Sequence, residues 1–271
     1  MINIRIRRVI RNADAPVQRI GFRALVCLLM FLVPGAPLAR AQGPVAGFEA
    51  ANKLYYEANF TNAASAYEKI IQSGQVSPAL YFNLGNAWFK SGQLGRAIAA
   101  YRQVEQLTPR DPDVRANLQF ARNQVQGPSF SPGRWLRWLN HFTLNEWTVV
   151  ASVSLWFSLL VLTALQWRPQ WKSSLRGLLA ILTSATIILI GCLTAAVYTA
   201  RNLQTAVVIA HEAVVRHGPL EESQNSFAVH DGAELRVLDR KDDWLMVTID
   251  PRRIGWLRKD QVLITPGPAR S

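Results

Sequence analysis

Residues 78–111 read PALYFNLGNAWFKSGQLGRAIAAYRQVEQLTPRD. Tyr81, Leu84, Gly85 and Trp88 fall at i, i+3, i+4 and i+7, which is one face of a first helix. Ala97, Tyr101 and Val104 form the apolar stripe of a second helix. The small Gly85 and Ala97 let the two backbones approach closely. Pro109 stops the second helix, because its ring fits no helix interior and it has no amide hydrogen to donate. A helical pair of this kind cannot cover its apolar faces alone, so the segment predicts stacked copies.

The preceding residues, 44–77, align with 78–111 without a gap. Ala51 stands where Gly85 does, Leu54 for Trp88, Ala63 for Ala97, Tyr67 for Tyr101 and Ile70 for Val104. This copy has no terminal proline. A partial third copy begins at Pro112, with Leu118 at the position of Leu84, and its polar end at Arg122 to Gln126 suggests a capping helix over 112–126. Two repeats and a cap are close to the minimum that stacks into a continuous core.

These residue types at this period resemble the tetratricopeptide (TPR) consensus, and the resemblance implies partner binding on the inner face of the first helices. Asn83 and Asn86 stand on that face between the packing positions, with Asn52 and Asn117 at matching offsets in the neighbouring copies. Asparagine both donates and accepts, so such a ladder suits the backbone of an extended peptide. Solvated polar positions on an ordinary helix are the competing reading. The Lys and Arg pattern with which some TPR domains clamp a terminal carboxylate is not evident.

Outward from the repeats, residues 127–143 form a linker and interfacial segment. GPSFSPG (127–133) is rich in breakers, and RWLRWLNHF (134–142) sets Trp135 and Trp138 among basic residues, as suits a segment lying among lipid headgroups. Two uncharged stretches follow, Trp147–Trp167 of 21 residues and Gly177–Tyr198 of 22. Both exceed the roughly 20 residues needed to cross a bilayer. They predict transmembrane helices at 144–167 and 177–199. The connection 168–176 carries Arg168, Lys172 and Arg176 and no acid, which favours a cytoplasmic loop with both flanking domains outside. Neither span holds an ionisable side chain other than Cys192, so transport by this chain alone is not expected.

At the start of the chain, residues 1–41 carry seven Arg against one Asp, half of the net charge of +12. They read as a signal peptide, with a long basic n-region, the ten-residue apolar run Ala24–Val33, and small residues at Ala39 and Ala41; cleavage is expected after Ala41. Export agrees with the orientation drawn from the loop charge. The two cysteines, Cys27 and Cys192, both lie in apolar runs and offer no disulfide framework.

From Thr205 to Thr265 the pattern turns to short β runs: TAVVIA, AVVRHGP, GAELRVLDR, WLMVTID and RRIGWLRKDQVLI. Asp231-Gly232 and Pro251 supply turns. About 60 residues of short strands is the size of a small SH3-like barrel. The run from His230 to Val262 resembles bacterial SH3 domains, with Gly232 before a strand, Trp244 opening the next, and Gly255-Trp256-Leu257 after a turn. That resemblance implies docking of peptides or cell-wall material, with Trp244 and Trp256 either as a binding platform or as plain core.

The expected fold class is thus a multidomain membrane protein: an all-α TPR repeat, a two-helix transmembrane hairpin and a small all-β SH3-like barrel at 205–265. This order resembles the BatE-type proteins of the aerotolerance operon. Membership implies an accessory subunit at the bacterial inner membrane, with its TPR and SH3-like domains in the periplasm. It would work beside von Willebrand A domain membrane proteins and a MoxR-type ATPase in envelope stress tolerance. The alternative is a peptidoglycan-binding regulator or recruiter of cell-wall enzymes.

No catalytic residue is expected. His141, His211, His217 and His230 are scattered, and no nucleophile motif, phosphate loop or HExxH occurs. His211 and His217 have no third ligand nearby, so no metal and no cofactor is expected. Nucleic acid is excluded as a partner by compartment.

Overall fold

In the computed structural model the described residues are 45–127 and 129–265; the expected signal peptide lies outside them. Five antiparallel helices come first among the described residues: α1 (Val45–Tyr56), α2 (Phe60–Gln72), α3 (Pro78–Lys90), α4 (Leu94–Leu107) and α5 (Pro112–Arg122). Local chemistry sets their ends. Ser77 caps α3 by accepting from the Leu80 amide at 3.1 Å, with Pro78 in the first turn. Asp111 caps α5 by accepting from the Asp113 and Val114 amides at 3.0 and 3.3 Å, with Pro112 next.

The 34-residue period recurs in the turns. Gly92, at φ +81°, donates to the Phe89 carbonyl, and Gln93 donates to Trp88. One repeat earlier Ala58, at φ +58°, donates to Tyr55, and Asn59 donates to Leu54. Ala51, Ala63, Tyr67, Leu84, Trp88, Ala97, Tyr101 and Leu118 lie in one buried core. The sequence suggests that Gly85 admits a neighbouring backbone. What it admits is the Tyr101 ring, whose Cε1 would lie 2.6 Å from a Cβ at that position.

Next come α6 (Arg134–Leu139), α7 (Leu144–Trp167), a one-turn helix at Pro169–Trp171 and α8 (Lys172–Asn202). Both α7 and α8 are long and apolar enough to cross a membrane. The nine-residue connection expected between them is shorter, because only Arg168 and the one-turn helix separate α7 from α8, which starts at Lys172. Val149–Ile190 form a compact unit of their own. There α7 and α8 meet through hydroxyls: Ser154 and Ser158 lie 2.8 and 3.0 Å from Thr186, with Ser158 and Thr186 buried.

The second compact unit comprises the described residues up to Thr148 and from Gly191. Its β part is one antiparallel sheet in the order β3-β2-β6-β5-β4-β1-β7. The strands are β1 (Thr205–Val208), β2 (Glu212–Arg216), β3 (Asn225–His230), β4 (Glu234–Lys241), β5 (Trp244–Asp250), β6 (Arg253–Arg258) and β7 (Val262–Thr265). Two features differ from the five sequence runs. Strand β3 (NSFAVH) is additional, and the last run is divided by a one-turn helix at Lys259–Gln261. The bends in β2, β4 and β5 fall at register shifts after Val215, Val237 and Thr248. Val208, Val215, Leu235, Leu245, Val247 and Leu257 fill its core.

Candidate functional site

The four asparagines expected to face a partner form two hydrogen-bonded sets within the helical repeats. Asn52 Oδ1 accepts from the Tyr67 hydroxyl at 2.5 Å and from Asn83 Nδ2 at 3.2 Å. One repeat on, Asn86 Oδ1 accepts from the Tyr101 hydroxyl at 2.7 Å and from Asn117 Nδ2 at 3.1 Å. The ladder therefore links α1 to α3 and α3 to α5, and the carbonyl oxygens of Asn52 and Asn86 are spent inside the fold. Burial pushes the Tyr67 phenol up to about 12, against the hydrogen bond from the asparagine side, and burial likewise raises Tyr101. Both hydroxyls thus remain donors through the ordinary pH range.

The second set, Asn86 with Asn117, borders an aromatic hollow of about 180 Å³ lined also by Tyr55, Phe89, Lys90, Tyr101 and Phe120, whereas Asn52 and Asn83 lie outside it. Phe89 and Phe120 lie with ring centroids 5.5 Å apart, and Phe120 is 59 % exposed. Reading the asparagines alone misses these aromatics. The available signal is that Tyr55 and Phe89 are one repeat period apart, each following a core-stripe residue and packed, partly buried, against the core.

Residues 78–111 match the Tetratricopeptide repeat family. The match covers the repeat from which the sequence is read, and further helices of similar pairing stack on either side of it. No curated protein and no solved structure matches the chain.

A second constellation joins the TPR helices to the sheet, and nothing in the spacing of either announces it. Glu234, at the start of β4, is 2 % exposed and sits between two guanidinium groups of the repeat. Arg102 Nε bonds its Oε1, while Arg122 donates to Oε2 at 2.8 Å and Oε1 at 3.1 Å. Burial alone would raise the Glu234 pKa, but Arg102 and Arg122 outweigh burial and hold it below the usual carboxylate value. For Arg122, burial disfavours the charged form, and Glu234 more than compensates, so its pKa is raised.

Beside this pair, Asp231 Oδ1 accepts from the Gly95 amide at 2.9 Å, at the first turn of α4. Gly95 lies so close that a Cβ there would come within 1.9 Å of the Val208 carbonyl oxygen. Gly232, at φ +87°, faces the same helices, where a Cβ would meet Val125 at 2.6 Å and Ile98 at 3.1 Å. Val207 of β1 belongs to the TPR core, and Val125 packs against both cores. The linker is held to the seam as well, since the Phe130 amide donates to the Glu234 carbonyl at 2.8 Å.

The two tryptophans of the β part differ in placement. Trp256 is 9 % exposed and counts with the interior, whereas Trp244 is half-buried at the start of β5. Gly255 is required beside Trp256, because a Cβ would meet the Arg216 carbonyl oxygen at 2.6 Å.

Proposed function

We propose that the chain is a non-catalytic, membrane-anchored scaffold that captures protein partners through its TPR groove, and that it belongs with the BatE-type accessory subunits of aerotolerance and envelope-stress complexes. The observation that carries the reading is the aromatic hollow on the concave TPR face. Exposed Phe120 beside Phe89 and Tyr55, with the asparagine amides between, offers apolar anchorage and hydrogen bonding to an extended partner segment. α7 and α8 support the anchor: side chains such as Val149, Phe157, Ile181 and Ile187 are exposed along them, an arrangement suited to lipid. Seven short antiparallel strands, with Gly255 pressed against Val215 and Arg216, support an SH3-like domain. The scaffold faces the periplasm of a bacterial inner membrane, with von Willebrand A domain membrane proteins as its partners.

The test is capture from solubilised membranes of the native host, comparing the wild-type chain with Phe120→Ala. Phe120 is exposed, so its loss leaves the fold intact. Recovery of von Willebrand A proteins that falls about tenfold or more in the variant supports the reading. Recovery unchanged by the substitution removes the groove from the mechanism. The second reading, recruitment of cell-wall enzymes to peptidoglycan, rests on half-buried Trp244 as part of a platform, and it requires binding to purified sacculi that Trp244→Ala abolishes.

A further inference from the structure

Between α4, α5, the linker, α6, the last turns of α8 and the start of β4 lies a cavity of about 1080 Å³. Its charged lining is basic: among the described residues Arg102, Arg115, Arg122, Arg137 and Arg236 stand against Glu105 and Glu234. Glu234 already serves both Arg102 and Arg122. Two guanidinium nitrogens among these, Arg102 Nη2 and Arg236 Nε, are buried with no hydrogen-bond partner among the described residues. Guanidinium groups outnumber carboxylates along this wall, and partly buried positive charge is costly unless negative charge meets it. Water supplies acceptors but no compensating charge. An oxyanion supplies both, and arginine is the side chain whose planar fork matches phosphate oxygens.

The walls also indicate where that anion comes from. Gly133, Leu136 and Leu139 of the tryptophan-bearing interfacial segment form one side, and Thr199 and Leu203, just past the apolar run ending at Tyr198, form another. If α8 crosses the bilayer, these residues stand at headgroup depth. We propose that this cavity binds a phosphate-bearing anion, the headgroup of an anionic phospholipid, through Arg102, Arg115, Arg137 and Arg236. The lipid source rests on the membrane reading above, whereas the anion site does not.

The full-length protein in neutral detergent, offered phosphatidylglycerol, phosphatidylcholine or inorganic phosphate in separate arms, is read by native mass spectrometry for retained ligand. Phosphatidylglycerol is expected to be retained about tenfold better than phosphatidylcholine. Arg236→Gln and Arg115→Gln should each lower that retention several-fold. Arg252→Gln, which removes the same charge outside the cavity, should not. Arg115 is exposed on α5, so its variant keeps the test open if Arg236→Gln does not fold. Retention of inorganic phosphate that depends on the same arginines assigns the site to free phosphate and still supports it. Equal retention of both lipids with no bound phosphate overturns the proposal, as does a loss shared by Arg252→Gln. Alkaline carbonate washing of membranes tests the anchor separately: release of a protein that still binds phosphate sinks the membrane reading and spares the site.

Discussion

Glu234 is the residue on which the joined unit depends most, because it neutralises two arginines away from water. Removing one partner of a buried ion pair leaves uncompensated charge, which costs on the order of 3 kcal/mol. Glu234→Ala should therefore lower unfolding stability by about that much in chemical denaturation, while Glu221→Ala, an exposed partner of Arg258, should cost well under about 1 kcal/mol. The pH dependence follows from the sign of the shift. The folded pKa lies below the ordinary value of 4.5, so the unfolded chain binds this proton more readily. The stabilisation is complete above that ordinary value and is lost as pH falls through the folded one. In an acid titration of stability, Glu234→Ala should show a shallower loss than the wild type below about pH 4.5. Ala58 is a smaller case. It takes the left-handed conformation that Gly92 takes one repeat later, at a steric cost of about 1 kcal/mol for a residue with a Cβ. Ala58→Gly should raise stability by roughly 0.5 kcal/mol, after allowance for the added freedom of the unfolded chain; a lower denaturation midpoint would count against the assigned turn geometry.

Among the elements, α4 has two duties. Its apolar stripe, Ala97, Tyr101 and Val104, packs within the repeat, while its first turn docks on the sheet through Gly95 and its outer edge supplies Arg102. Only the first duty was legible in the sequence, because it repeats every 34 residues. Gly95 reads as a weak helix residue until the Val208 carbonyl is placed against it, and Glu234 reads as a solvated charge at the start of a strand until Arg102 and Arg122 arrive from more than a hundred residues away. The asparagine positions were legible as a ladder, but their occupation by Tyr67 and Tyr101 hydroxyls depends on how the second helix of each pair packs behind the first. Strand β3 is not legible in the sequence because Ser226 and Ala228 leave its alternation with little apolar contrast. Gly95→Ala tests the docking directly: backbone cannot yield at 1.9 Å, so α4 must move off the sheet, at a cost of about 3 kcal/mol. Gly133→Ala, where a Cβ meets nothing, should be close to neutral. Faster hydrogen exchange at the Gly95 amide in the first variant would report the same separation, and equal stability of the two variants would deny the seam any weight.

For the molecule as a whole, the seam constrains topology in a way the charge pattern alone does not. The TPR helices and the sheet are separated in sequence by α7 and α8, yet they share a buried ion pair and interleaved cores. Parts on opposite sides of a bilayer could not do so, which means that the chain between them crosses an even number of times if it crosses at all. Two apolar helices satisfy that condition, and one transmembrane helix with one surface helix does not. The basic connection with Arg168 and Arg176 then decides which side the loop takes. Alkaline phosphatase fused after Ser271 should be active, as it is only outside the cytoplasm, and a fluorescent reporter that matures only in the cytosol should light up when inserted at Gln170. Replacing Arg168, Lys172 and Arg176 together by Gln should increase the fraction with the loop outside, with phosphatase activity falling in proportion. A silent phosphatase at Ser271 beside an intact Glu234 seam would put both folded parts in the cytoplasm, and the anchored periplasmic scaffold would have to be given up while the TPR groove and the anion cavity stand.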